Sequence, residues 1–208
     1  MKDTVHTHVY VRNGDALSVT DVQNDFLPGG ALGVFEGDAV ISPANCTIEI
    51  FRKAALPVFI TRDWHPPHHS SFKEKNGPWP PHCIRYTKGA EFASRLKIPD
   101  NAIVISKGSS IERDQYSSLH GLDSSGRTQD ELLKSLKIKR LFICGLATEY
   151  CVLNSVQDAR EAGYEVFVLT DAIRGVNVNP GDSEKALEEM SRLGAMLITT
   201  ADLKVQPA

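Results

Sequence analysis

An aspartate and a histidine spaced two residues apart offer the first chemistry in this sequence. Asp63 and His65 follow the apolar run Val58-Phe59-Ile60, and residues i and i+2 point to the same face if that run is a strand. A second histidine, His82, lies in the proline-rich loop that follows. Three such ligands form a mixed nitrogen and oxygen metal site and leave positions open for water or substrate, as catalytic sites do. Three solvated loop residues are the alternative interpretation of the same spacing.

Three more groups that can react follow predicted strands. Asp21 and Lys107 come at strand ends, and Cys151 lies in the first turn of a predicted helix. Ligands bind at the carboxyl ends of the strands in open parallel sheets, so all these groups are expected to converge on one edge. The unpaired N–H groups at a helix start favour a thiolate. The backbone N–H group of Cys151 and that of a nearby residue such as Ala147 would donate hydrogen bonds to the oxyanion of a tetrahedral intermediate.

The reactive groups indicate acyl transfer through a cysteine. Asp21 would take the proton of the Cys151 thiol and later deliver it to a leaving amine. Lys107 would hold both groups in place and stabilise the negative charge that develops. Taken alone, each feature has a structural alternative, namely a cysteine packed in the core and a structural ion pair between Asp21 and Lys107.

Short apolar runs alternate with segments of helical period along the whole chain. The predicted strands are Ala16–Thr20, Pro57–Thr61, Ala102–Ser106, Arg140–Cys144, Glu165–Thr170 and Ala195–Thr199. The predicted helices are Asp38–Ala55, Gln129–Leu136, Thr148–Ala162 and Ser183–Leu193, and Gly163 and Gly194 are placed to end the last two. This order predicts an α/β fold, a three-layer αβα sandwich around a six-stranded, mostly parallel sheet, formed by residues 1–208 as one domain.

Composition narrows the function classes. The chain has 208 residues, 41% of them hydrophobic, and a net charge of −3 without a basic cluster, which argues against a nucleic acid partner. It contains no apolar run of about 18 residues, so no membrane span is expected. The first residues lack the apolar core of a signal peptide. Four cysteines without a C-x-x-C pair are typical of a reduced protein, and we expect a cytoplasmic location.

Six segments together resemble the nicotinamidase group of the isochorismatase-like cysteine hydrolases. The segments are Asp21–Phe26 (D-x-Q-N-D-F), Thr61–Pro66 (T-R-D-W-H-P), Trp79–Cys83 (W-P-x-H-C), Lys88–Phe92 (G-A-E-F after the lysine), Lys107-Gly108 and Gly145–Val152 (G-L-A-T-D-Y-C-V). The likeness runs from Ala16 to Thr199 and is specific because the segments occur as an ordered set. One difference is Glu149, which stands where aspartate is commoner and to which no chemistry is attached.

This resemblance implies hydrolysis of nicotinamide to nicotinate and ammonia, in NAD salvage, with analogues such as pyrazinamide as further substrates. Carried over residue by residue, the catalytic triad is Asp21, Lys107 and Cys151. The family places a cis peptide bond before the residue that matches Ala147. The oxyanion hole is then formed by Ala147 and Cys151.

The resemblance also implies one divalent metal ion, with zinc foremost and iron or manganese as further candidates. Its ligands are Asp63, His65 and His82, and in relatives the ion binds the pyridine nitrogen of the substrate and so orients the ring. Phe26 and Trp79 match the aromatic positions that sandwich the ring.

Some features stay open at this point. A fourth protein ligand would be His68, His69 or Glu74, whereas water is the favoured alternative. Ser18 and Thr20 interrupt the first apolar strand, so their hydroxyl groups need partners. Relatives often form dimers or larger assemblies, and the sequence does not fix whether this chain does.

Two other functions remain to be weighed. One is a related cysteine amidohydrolase that acts on another small amide, although isochorismatase-type relatives lack the cysteine and carbamoyl-amide hydrolases usually lack the D-x-H…H set. The other is a metal-binding or protein-interaction module without activity, which would have no need of Asp21, Lys107 and Cys151 together.

Overall fold

A computed structural model describes residues 8–112 and 114–205 of the chain. Its strands in chain order are β1 (Val9–Val11), β2 (Asp15–Thr20), β3 (Val58–Asp63), β4 (Ile103–Lys107), β5 (Arg140–Leu146), β6 (Glu165–Arg174), β7 (Met196–Ile198) and β8 (Leu203–Val205). Its α-helices are α1 (Ile41–Lys53), α2 (Gln129–Ser135), α3 (Leu153–Glu161) and α4 (Asp182–Arg192). Within these residues no helix has the length and apolar character needed to cross a lipid bilayer.

The central sheet has the strand order β4-β3-β2-β5-β6-β7, and every neighbouring pair is parallel. The predicted six-stranded α/β sandwich is therefore confirmed. Two short strands, β1 and β8, pair in parallel as a separate two-stranded sheet. The sequence did not indicate them because a strand of three residues shows no clear period.

Apolar side chains of the central strands alternate between two buried layers. In β5, Leu141 and Ile143 pack into the layer that contains Val156 of α3. Phe142 faces the opposite layer, where its ring lies 5.2 Å from that of Phe51 in α1. Each such side chain contributes about 2 kcal/mol when it is fully buried. This two-sided burial explains why the strands read as continuous apolar runs.

The two hydroxyl groups that interrupt the first apolar strand differ in their partners. Ser18 accepts a hydrogen bond of 3.0 Å from the side-chain amide of Gln129, the first residue of α2. The buried Thr20 hydroxyl has no hydrogen-bond partner among the described residues. The expectation that both hydroxyl groups need partners is thus met for Ser18 alone.

The predicted helix Thr148–Ala162 consists of two parts. Its first turn, Thr148–Val152, is π-helical, and α3 follows directly. Gly163 and Gly194 lie just beyond α3 and α4 with φ angles of 90° and 84°, as glycines that end helices do. π-helical turns often occur at functional sites, and this one carries Cys151.

A buried ion pair joins the amino-terminal ends of β2 and β5. The Arg140 guanidinium donates to both carboxylate oxygens of Asp15, at 2.7 and 2.6 Å, and also to the Tyr10 carbonyl at 2.8 Å. Replacing Asp15 with alanine leaves a buried charge unpaired, so we expect a loss of about 3 kcal/mol in the free energy of unfolding. Denaturant titration measures this loss. Glu49→Gln breaks an exposed pair with Arg52 and should leave stability nearly unchanged, and equal effects of the two variants would contradict the prediction.

Candidate active site

Four polar side chains meet at the carboxyl edge of the sheet. Asp21 follows β2, whereas Asp63 and Lys107 are the last residues of β3 and β4 and are partners in register. The Lys107 ammonium lies 2.8 Å from Asp21 Oδ2 and 3.2 Å from Cys151 Sγ, and it donates a hydrogen bond to Asp63 Oδ1. All four residues are buried. The strand ends therefore bring both predicted carboxylates, the ammonium and the thiol together.

The carboxylate of Asp21 is held on both sides. The Thr61 hydroxyl donates a hydrogen bond of 2.6 Å to Oδ1, and the other oxygen faces Lys107. The backbone of Asp21 has a left-handed φ of 49°, which turns the chain sharply at the end of β2. A carboxylate oxygen of Asp21 lies within 4.8 Å of Cys151 Sγ, so proton exchange between these two groups needs little movement.

Burial governs the protonation of this group of side chains. It raises the pKa of Asp21, against the opposing effect of Lys107. It also raises the pKa of the Cys151 thiol well above its usual range, and Lys107 again opposes the shift. Burial would lower the pKa of Lys107, but the nearby carboxylates of Asp21 and Asp63 raise it well above its usual value. The ammonium thus stays charged. The raised pKa favours the thiol form of Cys151, which needs a base, whereas its place at a helix start had suggested a thiolate.

The backbone before Cys151 makes a tight approach to β2. Gly145 has a φ of 111°, and a Cβ atom there would come within 2.0 Å of the Thr20 carbonyl oxygen, so only glycine fits. The peptide bond between Leu146 and Ala147 is cis, as the resemblance implies. Ala147 and Cys151 both line the cavity described below.

Asp63, His65 and His82 form a close group of potential metal ligands. One ligand atom from each lies within 4.8 Å of the others, with Asp63 Oδ2 3.6 Å from His65 Nε2 and 4.0 Å from His82 Nε2. The Nδ1 atoms contact the carbonyl oxygens of Gly108 and Pro80 at 2.9 and 2.8 Å. These contacts fix the tautomer with Nε2 available. The donor set and its spacing fit one divalent ion, since two ligands of a zinc ion lie about 3.4 Å apart.

The structure brings none of the three proposed extra ligands into this group. His68 and Glu74 are exposed. His69 is buried, and its ring lies against that of His65 with 4.1 Å between the centroids, whereas its Nδ1 is bonded to the Ser71 hydroxyl at 2.7 Å. Among the described residues, the close group of potential ligands therefore consists of Asp63, His65 and His82.

A small cavity opens beside the thiol and the metal-ligand group. Phe26 and Trp79 both line it, as expected of residues that contact a ring. The Phe26 ring lies 5.6 Å from that of His82, and the Trp79 indole N–H donates to the Tyr116 hydroxyl at 3.0 Å. The aromatic side chains that line this cavity suit a small aromatic substrate. A wider groove runs along α1, but its walls contain none of the candidate residues.

Sequence reasoning missed part of the cavity wall. The additional lining residues are Leu32, Asp114, Tyr116, Tyr150 and Val176. Only Tyr150 had a signal, because it precedes the predicted nucleophile. The other four lie in loops whose path is set by tertiary contacts.

Two residues of the segment after β2 also hold the site in shape. The Gln23 side chain donates to the carbonyl of Asp63 at 2.8 Å and accepts from its N–H at 2.8 Å. Asp25 accepts a hydrogen bond of 2.7 Å from the N–H of Cys83, next to His82. Gly89 packs so closely against the Asp25 carboxylate that a Cβ atom would lie 2.2 Å from it. These contacts link the Asp21–Phe26 segment to both metal-ligand segments.

The chain is similar to known proteins along most of its length. The family model described as the isochorismatase domain matches residues 15–202. The nicotinamidase of Escherichia coli (strain K12) is 39% identical over 206 residues, which cover 90% of this chain and 95% of that protein. The pyrazinamidase of Pyrococcus horikoshii in complex with zinc has a TM-score of 0.83 at 42% identity, covering 89% of this chain and 99% of that one. PnC1 from L. infantum in complex with nicotinate has a TM-score of 0.86 at 33% identity, and the match covers 96% of this chain and 100% of that one.

Proposed function

This chain belongs to the isochorismatase domain family, and on that basis we propose that it is a nicotinamidase, which hydrolyses nicotinamide to nicotinate and ammonia. One observation carries the proposal: the buried Cys151 thiol, which lies against the Lys107 ammonium and close to the Asp21 carboxylate, borders the same small cavity as an Asp-His-His group. Similarity to a nicotinamidase at 39% identity supports this choice of substrate. Ammonia release from nicotinamide by the purified protein tests it.

In the proposed reaction, Asp21 takes the proton of the Cys151 thiol as the sulfur attacks the carboxamide carbon. The N–H groups of Ala147 and Cys151 receive the oxyanion that forms. Asp21 then gives its proton to the nitrogen, the C–N bond breaks and ammonia leaves a thioester on Cys151. Asp21 next deprotonates a water molecule that attacks the thioester, which releases nicotinate and restores the thiol. Lys107 keeps Asp21 and Cys151 close together and balances the negative charge.

Asp63, His65 and His82 would hold the divalent ion, and we propose zinc because the similar pyrazinamidase was solved with zinc. Imidazole and carboxylate donors also accept iron or manganese. When bound, the ion supplies a Lewis-acid position for the pyridine nitrogen and so helps to orient the ring. Phe26 and Trp79 would pack on the two faces of that ring and exclude water from the thiol.

Replacing His82 with alanine should abolish stoichiometric metal binding and raise KM for nicotinamide at least about tenfold, because ring orientation depends on the metal group. Elemental analysis and steady-state kinetics measure both effects. His120→Ala changes an exposed histidine paired with Asp158 and serves as the control. Chelation of the wild-type protein should raise KM in the same way, and an unchanged KM in metal-free protein would contradict the assigned role.

A related amidohydrolase with another small amide as substrate is the second candidate. A panel of nicotinamide, pyrazinamide and N-carbamoyl compounds separates the two by their kcat/KM values. A non-catalytic module would release ammonia from none of them. The triad geometry favours catalysis, since Lys107 contacts both Asp21 and Cys151.

We further propose that the protein acts in NAD salvage in the cytoplasm as a single domain. Support for a reducing compartment comes from the cysteines, since Cys46, Cys83, Cys144 and Cys151 are all free thiols. Light scattering or sedimentation of the purified protein measures the oligomeric state, which relatives would suggest to be a homo-oligomer.

A further inference from the structure

Glu149 connects the turn that carries the nucleophile with a segment far along the chain. It lies two residues before Cys151 in the π-helical turn. Its Oε1 atom accepts a hydrogen bond of 2.5 Å from the N–H of Asn177, and its Oε2 atom lies 3.5 Å from the Ser183 hydroxyl in α4. A single carboxylate therefore bridges the turn, the loop after β6 and the start of α4.

The loop is shaped to receive this carboxylate. Asn177 has a left-handed φ of 50°, and its side-chain oxygen accepts a hydrogen bond of 2.9 Å from the N–H of Ser183. Gly175 is buried, and a Cβ atom there would lie 2.3 Å from Glu149 Oε2 and 1.9 Å from the Ser183 hydroxyl. The carboxylate thus packs directly on the loop backbone, in a space that any larger residue at position 175 would fill.

Val176 lies between the two loop residues that Glu149 contacts, and it lines the cavity beside Cys151. Resting on the proposed nicotinamidase function, we propose that Glu149 is a positioning residue that holds Val176 against the bound substrate. Through this contact it sets the width of the pocket at one wall and so restricts which substituted pyridine carboxamides enter. The role lies outside the reacting groups, because the carboxylate is directed to Asn177 and Ser183.

Side-chain length and side-chain charge at position 149 can be tested separately. Aspartate keeps the charge, but it is shorter by one methylene, about 1.5 Å, and cannot span to Asn177. Glutamine loses the charge but keeps the length, and its carbonyl oxygen accepts the same hydrogen bond. A residue that acts by positioning therefore tolerates Glu149→Gln and not Glu149→Asp. A residue that acts by its charge near the thiol shows the opposite order.

The experiment compares kcat and KM for nicotinamide in the wild type, Glu149→Asp and Glu149→Gln, with hydrogen exchange of segment 175–181. We expect Glu149→Asp to raise KM about tenfold, as loss of one good hydrogen bond does, with kcat reduced less than about threefold. Its kcat/KM for a ring-methylated nicotinamide, relative to nicotinamide, should rise because the wall is looser. Exchange in segment 175–181 should be about tenfold faster. Glu149→Gln should stay within about threefold of wild type in every measurement.

Glu188→Asp makes the same change at an exposed position of α4 and is the matched control, expected to leave all values at wild type. Wild-type KM and wild-type exchange in Glu149→Asp would overturn the proposal, as would a larger defect in Glu149→Gln than in Glu149→Asp. If the wild-type protein released no ammonia at all, the proposed function would fail. The exchange measurement needs no substrate and would still test the contact.

Discussion

Cys151→Ala is expected to lower the rate of ammonia release from nicotinamide by at least about 10⁴-fold, the loss typical of a missing nucleophile. The sulfur of Cys151 lies 3.2 Å from the Lys107 ammonium, and Cys151 borders the cavity. Alanine removes that atom and leaves the surrounding cavity in place. Binding of nicotinamide and metal content should therefore persist at wild-type levels. Discontinuous ammonia assays measure the rate, calorimetric titration measures nicotinamide binding and elemental analysis measures metal content.

Cys46 provides the control for this substitution, because it is a free cysteine on the exposed side of α1. Cys46→Ala should retain wild-type turnover and metal content. Near-wild-type activity of Cys151→Ala would refute the nucleophile assignment. Loss of metal and ligand binding in that variant would instead show that the thiol supports the structure of the site.

The meeting of the reactive groups could be inferred from the sequence because it follows from strand geometry. Asp63 and Lys107 end neighbouring parallel strands, and parallel strands in register place their last residues side by side. Asp21 follows the next strand of the sheet, so it reaches the same edge. The apolar runs that identify these strands are strong signals since both faces of the sheet are covered.

Contacts between distant loops could not be inferred in this way. Gln23 binds the backbone of Asp63 across 40 residues, and Asp25 binds Cys83 across 58. No local propensity or period encodes such partners. The same holds for Tyr116 and Val176, whose places in the cavity wall depend on how their loops pack.

The protonation state of the Cys151 side chain could not be inferred from the sequence either. A cysteine at a helix start suggests a stabilised thiolate, but the effect depends on access to water. In the folded chain the thiol of Cys151 is buried, and that burial raises its pKa well above the usual range despite the nearby Lys107. The thiol therefore needs an adjacent base for its activation. Asp21 lies within reach of it, whereas Asp63, the other carboxylate that contacts Lys107, belongs to the group of potential metal ligands.

Asp21→Asn should accordingly reduce kcat/KM for nicotinamide by about 10³-fold, within the usual range for loss of a general base. The amide keeps the size of the side chain and its contact with Thr61, so the fold and metal content should survive. Burial raises the pKa of Asp21. Activity of the wild type is therefore expected to fall with decreasing pH at a value above the ordinary aspartate pKa of about 3.9, as the carboxylate takes up a proton. Asp21→Asn should lack this acidic limb.

Thr61→Val tests the same assignment of Asp21 as the base through a shift of the pH profile. The Thr61 hydroxyl donates to Asp21 Oδ1 and lowers the pKa of that carboxyl. Its removal makes the carboxylate easier to protonate, so the acidic limb of the kcat/KM profile should move to higher pH, while activity at high pH changes less. Thr47→Val removes a buried hydroxyl in α1, bonded to Pro43, and should leave the limb unmoved. A shift of the limb to lower pH in Thr61→Val, or an intact limb in Asp21→Asn, would assign the base to another group.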